Sequence, residues 1–146
     1  MDKSEILNLV KNKIQQKIQT FTSLIEETRA SSNDTKSSMG DKYETGREML
    51  QQEINNLQRH LNETLLQQNK ISKISAEPCT KVQNGALVKT NKGLFYVSVS
   101  VGEIVLDGKK IMTVSEESPL VKAMFGMKVD EQFSINTIQQ VIEEII

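Results

Sequence analysis

The sequence predicts an α+β protein in two parts: an antiparallel helical hairpin over residues 1–73 and a small antiparallel sheet with one short helix over 81–146, joined by a linker at 74–80. Three observations predict it. Apolar residues recur at helical spacing through the first seventy positions, with one polar interruption that places a hairpin tip near 30–42. From Lys81 the period falls to two, with turn residues between the runs. Of the 146 residues, 37% are hydrophobic and 25% charged. That apolar share is below the usual range, as expected where much of the chain lies in two helices whose seams need only be as wide as one partner.

Over residues 3–29, Leu7, Val10, Ile14, Phe21 and Leu24 fall on a three-four spacing, with Lys17 interrupting one core position. Ile6, Ile18 and Ile25 broaden the stripe, and Asn12, Lys13, Gln16, Gln19 and Glu26 occupy the opposite face. Neither proline nor glycine interrupts the run, which at 1.5 Å per residue predicts a helix of roughly 35–40 Å. Residues 30–40 are dense in small polar side chains that compete with the helical backbone for hydrogen bonds, so they read as a turn. The helical period resumes at Asp41 and runs to about Ser72. Its seam is Tyr43, Leu50, Ile54, Leu57, Leu61 and Ile71, with Met49 and Leu65 beside it. Gly46 weakens the start of this helix by about 1 kcal/mol relative to alanine. Two long amphipathic helices around a short turn form an antiparallel hairpin. The same seams could pair between chains, which gives a coiled-coil adaptor as the alternative reading. The break at 30–40 favours folding back within one chain, hence a monomer rather than a dimer, with a domain-swapped dimer left open.

Ser75 to Thr80 breaks the second helix, and Pro78 disfavours helical geometry at Glu77. Beyond it, Ala86–Thr90 and Leu94–Ser100 flank Asn91-Lys92-Gly93, a hairpin signal. Glu103–Leu106 and Lys109–Val114 flank Asp107-Gly108, the dipeptide of a two-residue hairpin turn. Ser118-Pro119 then opens a helix: the serine hydroxyl can accept from a free N–H of the first turn, and proline at the first helical position loses no needed donor. Leu120, Ala123 and Met124 share one side of about two turns, and Gly126 is the stop. Gln132–Asn136 and Gln140–Ile145 supply two more strands, for five or six in all.

The net charge is −1 and the isoelectric point about 5.9. No basic stripe is present for tight binding to a phosphate backbone, so no direct sequence-specific nucleic-acid partner is predicted. One cysteine, Cys79, rules out an intrachain disulfide and fits a reducing compartment. The polar first residues and the lack of a long apolar run predict neither signal peptide nor membrane partner, hence a cytoplasmic protein. His60 has no Cys or His at zinc-binding spacing, so no metal site is expected in the free protein. Gly-x-Ser-x-Gly and phosphate-loop patterns are absent. No catalytic residue of its own and no cofactor are predicted, and the Ser118 hydroxyl has a sufficient role as a cap.

Charge gathers where the chain turns between the helices. Asp34, Asp41, Glu44 and Glu48 lie there with Lys36, Lys42 and Arg47 interleaved. Acidic groups at a helix N-terminus are stabilised by its dipole, which explains Asp41 and Glu44 without any function.

Residues Ser118–Asp130, with Gly85–Val114 before and Gln132–Ile145 after, resemble the C-terminal domain of the Gre family (GreA/GreB-like) of bacterial transcription elongation factors. The shared pattern is Ser-Pro, a short helix, a small or aliphatic pair, then Gly-x-Lys-x-Gly followed by an acid. Val121 stands where the family has a small residue, and Asp130 where it has glycine. The helical part is similar in architecture and at a few positions. The resemblance implies an FKBP-like fold for the sheet part and RNA polymerase as the partner. It implies that the hairpin enters the polymerase secondary channel while the C-terminal part docks on its rim. Ser118, Pro119, Lys122 and Lys128 are then docking candidates, and Leu120, Val121, Met124 and Phe125 are mostly core. In the family, two tip carboxylates help hold a second Mg²⁺ in the polymerase active site, a hard-oxygen site for a dication that activates water. Mg²⁺ would therefore be shared with the polymerase rather than resident.

The family tip reads Asp-x-Lys-Glu-Asn-x-Glu-Tyr followed soon by arginine, and no alignment of this chain reproduces it. Anchoring on Asp34 and Lys36 puts Ser37 at the second acidic place. Anchoring on Tyr43 and Arg47 puts Lys36 and Met39 at the two acidic places. A third match takes Asp41 and Glu44 as the pair. Serine, lysine and methionine cannot replace a carboxylate at a dication. Asp34, Asp41 and Glu44 are the tip acids to watch, and the resemblance implies polymerase binding more than stimulation of transcript cleavage. An FKBP-like fold also raises prolyl isomerase activity. With no tryptophan, and with Phe95, Tyr96, Phe125 and Phe133 all usable as core, the chain shows no aromatic pocket for it.

Overall fold

The computed structural model describes residues 1–38 and 44–146, with side chains described for 1–31 and 46–146. Helices α1 (Lys3–Ser38) and α2 (Glu44–Ile71) come first. Strands β1 (Leu87–Thr90), β2 (Gly93–Ser98), β3 (Glu103–Leu106) and β4 (Lys109–Ser115) follow, then helix α3 (Pro119–Met124) and strands β5 (Gln132–Ile135) and β6 (Ile138–Ile145). The chain forms two compact units, one of residues 14–68 and one of 1–13 with 69–146. No described helix is long and apolar enough to cross a membrane.

Asp2 starts α1: its Oδ1 accepts the Ser4 N–H at 2.8 Å, satisfying one of the donors a helix N-terminus leaves over. The helix does not end at Arg29 but continues to Ser38. Serine, asparagine and threonine each lower helix propensity by only a few tenths of a kcal/mol, and extending an existing helix needs no new nucleus.

In the 14–68 unit the two helices run antiparallel, since Gln15 meets Gln68 (3.4 Å) while Phe21, further along α1, stacks on His60, earlier on α2. The buried side of α1 departs from the expected seam. After Ile14 it steps four residues to Ile18, then follows Phe21, Ile25 and Thr28, leaving Lys17 and Leu24 exposed. An extra four-residue step of this kind shifts the seam by one position, so the charged Lys17 head stays in water. On α2 the inward positions are Leu50, Ile54, Leu57, Leu61 and Thr64, whereas Met49 and Leu65 face solvent. Tyr43 lies outside the described residues. The two buried threonine hydroxyls are satisfied within their own helices, Thr28 on Leu24 O (2.7 Å) and Thr64 on His60 O (2.8 Å).

The second unit holds a six-stranded sheet in the order β3-β4-β2-β1-β6-β5. Every neighbouring pair is antiparallel except β2 and β4, which are parallel, with Leu94 opposite Ile111 and Ser98 opposite Ser115. The small antiparallel sheet with one short helix expected from the sequence is thus present, with this one parallel pair in it. After β2 the chain passes to the edge, forms β3, and turns back as β4 between β3 and β2. Alternation of period two is the same for either strand sense, so the pattern does not separate them. The Asp107-Gly108 turn has both residues at positive φ (53° and 75°), as a type I′ hairpin requires. Asn136 and Thr137 form a second such turn without glycine (φ 51° and 66°), so β6 begins at Ile138, two residues before the expected start. Val82, Ala86, Val88, Val97, Val114, Phe133 and Ile142 make the core on which α3 sits through Val121 and Met124. A bulge between Lys89 and Thr90 in the β1–β6 ladder accompanies a buried bond from the Thr90 hydroxyl to Gln140 Oε1 (2.9 Å).

Candidate functional site

The segment Ser118–Glu131 is fixed at each of its turns. The Ser118 hydroxyl accepts from Val121 N (3.3 Å), which caps α3, and donates to Ser115 O (2.8 Å), which ties the cap to the end of β4. Pro119 occupies the first turn of α3, where its missing N–H costs nothing. Beyond the helix, Gly126 N donates to Val82 O and Val82 N to Met127 O, both at 2.8 Å, which ties the return of the chain to the core. Gly126 sits at φ +81° and Asp130 at φ +74°. Asp130 thus takes a left-handed conformation, which glycine adopts most readily, and its N–H is held by Ile142 O at 2.8 Å.

These bonds decide which side chains are left for a partner. Val121 and Met124 are fully buried, with Leu120 and Ala123 half-buried beside them. Pro119, Lys122 and Lys128 are exposed, while Ser118 is half-buried. Phe125, expected mostly in the core, is 53% exposed, a correction with a local cause. It is the C-cap of α3, where a ψ of 130° turns the following chain out of the helix. Val129 is exposed as well. The resulting surface carries Pro119, Lys122, Phe125, Lys128 and Val129: apolar groups with two cations. Sequence reasoning missed Phe125 and Val129 as surface groups. The helical spacing that groups Phe125 with Val121 gave no signal of this.

The tip acids are not placed. Asp34 belongs to the last part of α1 and Glu44 is the first residue of α2, but both side chains lie outside those described, and Asp41 lies outside the described residues altogether.

A second polar cluster is buried in the unit of 1–13 and 69–146. Lys3 is only 4% exposed, and its ammonium donates to Glu77 O (2.6 Å) and Ile146 O (2.9 Å) and lies 3.5 Å from Cys79 Sγ. Gln83 Nε2 donates to the same sulfur at 3.3 Å. Tyr96 is fully buried with its hydroxyl unpartnered, and burial, with a lesser contribution from a negative charge on Cys79, pushes its pKa up to about 12. His60 stacks on Phe21 with ring centres 5.7 Å apart and lies 3.6 Å from Glu63, a half-exposed packing role. Among the described residues, no three His, Cys, Asp or Glu side chains gather as a metal site would require.

No protein-family model matches the chain, and no curated protein does. Two solved structures align with nearly its full length. The transcription factor Gfh1 matches over 92% of each chain at 15% identity with a TM-score of 0.39. The GreA factor homolog 1 (Gfh1) protein of Thermus thermophilus matches over 93% of this chain and 94% of its own, at 17% identity and a TM-score of 0.40. At such identities and scores the likeness carries neither a residue correspondence nor an activity across to this chain.

Proposed function

We propose that the chain is a Gre-like factor that binds RNA polymerase, with the helical pair entering the secondary channel and the sheet unit docking on its rim. The observation that carries this reading is the Ser118–Glu131 segment: a serine-capped, proline-opened short helix followed by two left-handed positions at Gly126 and Asp130, in the order of the Gre pattern. Asp130 departs from that pattern in residue type, and its φ of +74° is one that glycine adopts without strain. The division into a hairpin over 1–73 and an FKBP-like part over 81–146 belongs to the same proposal, as does a cytoplasmic location with the polymerase. Docking falls to the exposed Pro119, Lys122 and Lys128, with Phe125 added by its exposure, and Ser118 holds them in place. Two cations beside apolar groups suit an acidic, partly apolar partner surface.

The chain brings no catalytic residue and no cofactor of its own, and Mg²⁺ enters only through the polymerase. Because the tip lacks the complete carboxylate set, the factor occupies the channel and stimulates transcript cleavage weakly or not at all. The test is a transcript-cleavage assay on a stalled elongation complex of the cognate polymerase, run alone and in competition with an authentic cleavage factor. The expected result is competition without acceleration. Acceleration that disappears in the Asp34→Ala, Asp41→Ala, Glu44→Ala variant would show instead that these acids complete a metal site. Absence of both competition and polymerase co-purification would return the chain to the adaptor reading, in which the helical seams serve another protein.

A further inference from the structure

Strand β3 ends the sheet: it pairs with β4 on one side and with no other strand on the other. The register fixes which of its backbone groups face outward. In a two-residue hairpin the residues flanking the turn, here Leu106 and Lys109, exchange N–H and C=O with each other, and the pattern alternates along the strand. Leu106, Ile104 and Gly102 therefore face β4, as the bond from Thr113 N to Gly102 O (3.1 Å) shows for the last of them. Glu103 and Val105 turn their groups to the open side. There Glu103 O accepts from the ammonium of Lys13 at 2.5 Å, within the same unit of 1–13 and 69–146. Outward backbone groups on an edge are a template for another strand, and lysine is a common guard against it. Lys13 guards directly, by occupying an acceptor that an added strand would need.

The strand is complementary to itself. About a two-fold axis at Ile104, an antiparallel copy sets Glu103 opposite the partner's Val105 and Val105 opposite the partner's Glu103, each pair exchanging both hydrogen bonds. Residues two apart share a face, so these side chains meet on one side of the joined sheet. Val105 is 56% exposed there, and Met112, opposite Glu103 on β4, is 42% exposed. No like charges stand opposite each other in this register, whereas an axis at Glu103 would oppose the two carboxylates and an axis at Val105 would set Glu103 against Asp107. We propose that β3 is a self-pairing strand gated by Lys13: a second copy of this chain adds across β3 once both Lys13 ammonium groups leave Glu103 O. The pairing spans the four residues of β3, which makes it a small and transient contact. With Lys13 in place the chain is mainly monomeric. The proposal does not depend on the polymerase reading, and its test uses the free protein.

The experiment is sedimentation equilibrium of the full chain from micromolar to millimolar concentration, with amide exchange followed in parallel. Lys13→Met should tighten dimerisation by about tenfold or more, since two charge-assisted bonds no longer compete with pairing. The Glu103 and Val105 N–H groups should then exchange more slowly as concentration rises. In that background Val105→Glu should loosen the dimer by about tenfold, because it sets like charges opposite each other at both Glu103 positions, and adding Glu103→Lys should restore it. Methionine keeps the packing of the half-buried Lys13 stem and its helix propensity, and Glu103 and Val105 are exposed, so these variants keep the fold. The proposal is overturned if Lys13→Met dimerises no more tightly than the parent. It is equally overturned if Val105→Glu leaves the dimer unchanged, or if Glu103→Lys fails to restore it, since the copies would then meet through another surface or register.

Discussion

Lys3→Met tests whether a buried ammonium organises the sheet unit. Lys3 opens α1, where a cation is disfavoured by the helix dipole, and it is removed from water almost entirely. Those two costs are borne because the ammonium serves backbone oxygens of Glu77 and Ile146, at 2.6 and 2.9 Å. Hydrogen bonds to a charged group contribute about 1.5–3 kcal/mol each. Removing the charge also removes several kcal/mol of ammonium desolvation, so the two large terms nearly cancel. What is left over is the acceptors. Ile146 O keeps the Leu87 N–H at 3.2 Å, whereas Glu77 O retains only the long Cys79 Sγ contact at 3.7 Å. One unsatisfied carbonyl costs about 1–3 kcal/mol, and methionine keeps the packing of the stem. The expected loss is therefore about 1–3 kcal/mol, read as a lower urea midpoint with an unchanged slope. Lys3→Ala should lose more, because it also forfeits the buried methylenes. A methionine variant as stable as the parent, or more so, would refute the reasoning: the ammonium would then be a tolerated buried charge that an apolar side chain replaces without loss.

Four other outcomes follow from the same geometry. Tyr96→Phe removes an unpartnered buried hydroxyl, so it should be neutral or stabilising by up to about 1 kcal/mol in chemical denaturation. Its pH dependence has a fixed sign: the unfolded phenol ionises near 10 and the folded one only near 12, so the parent loses stability between those values, by at most about 2–3 kcal/mol. The phenylalanine variant should lack that alkaline loss. Gly85→Ala combines a φ of +90° with a 3.0 Å approach to Ser75 O and should cost about 2–3 kcal/mol, whereas Gly126→Ala, at φ +81° in open space, should cost only the backbone strain of about 1–2 kcal/mol; thermal melts separate the two. Asp130→Gly relieves a left-handed aspartate at the expense of a freer unfolded chain and should gain up to about 1 kcal/mol in the same melts. On the proposed polymerase reading, Lys122→Glu with Lys128→Glu should leave the melting temperature within a degree or two and weaken polymerase association by about tenfold or more in a pull-down at low salt, an effect that shrinks as salt is raised.

The legible parts of the fold were those where one residue type has one conformational use. Asp107-Gly108 announced a type I′ turn because two consecutive positive φ values suit few other pairs. Ser118-Pro119 announced a helix start for a similar reason. Asn136-Thr137 gave no such warning, since threonine at φ +66° is an unfavourable choice that the β5–β6 pairing enforces. The parallel β2–β4 contact was hidden because alternation reports which face a residue takes, not which way its neighbour runs. On α1 the sequence flagged Lys17 as an interruption and carried the seam on through Leu24, with Ile18 and Ile25 only beside it, whereas the buried line runs through Ile18, Ile25 and Thr28. Packing chose the line that keeps the ammonium in solvent. Lys3 offered least of all: a lysine in a first helical turn ordinarily points into water, and its acceptors lie 74 and 143 residues further along the chain.

The site shows a related division of labour. In the Ser118–Glu131 segment, the residues that make the pattern recognisable are committed to geometry. The Ser118 hydroxyl donates to Ser115 O and accepts from Val121 N, Gly126 supplies a left-handed turn, and the Asp130 backbone holds a second one. Their first role is therefore to shape the segment around α3. The groups left free are those between them, Pro119, Lys122, Phe125 and Lys128, which a pattern of serine, proline and glycines constrains least. Motif residues and contact residues should therefore separate in experiment. Ser118→Ala should lower stability by about 1 kcal/mol and weaken association only as far as α3 frays. Lys122 and Lys128 substitutions should change association while the fold stays intact. If Ser118→Ala instead abolished association in a protein that remained fully folded, the hydroxyl would be a contact group, and the cap geometry would not be its main role.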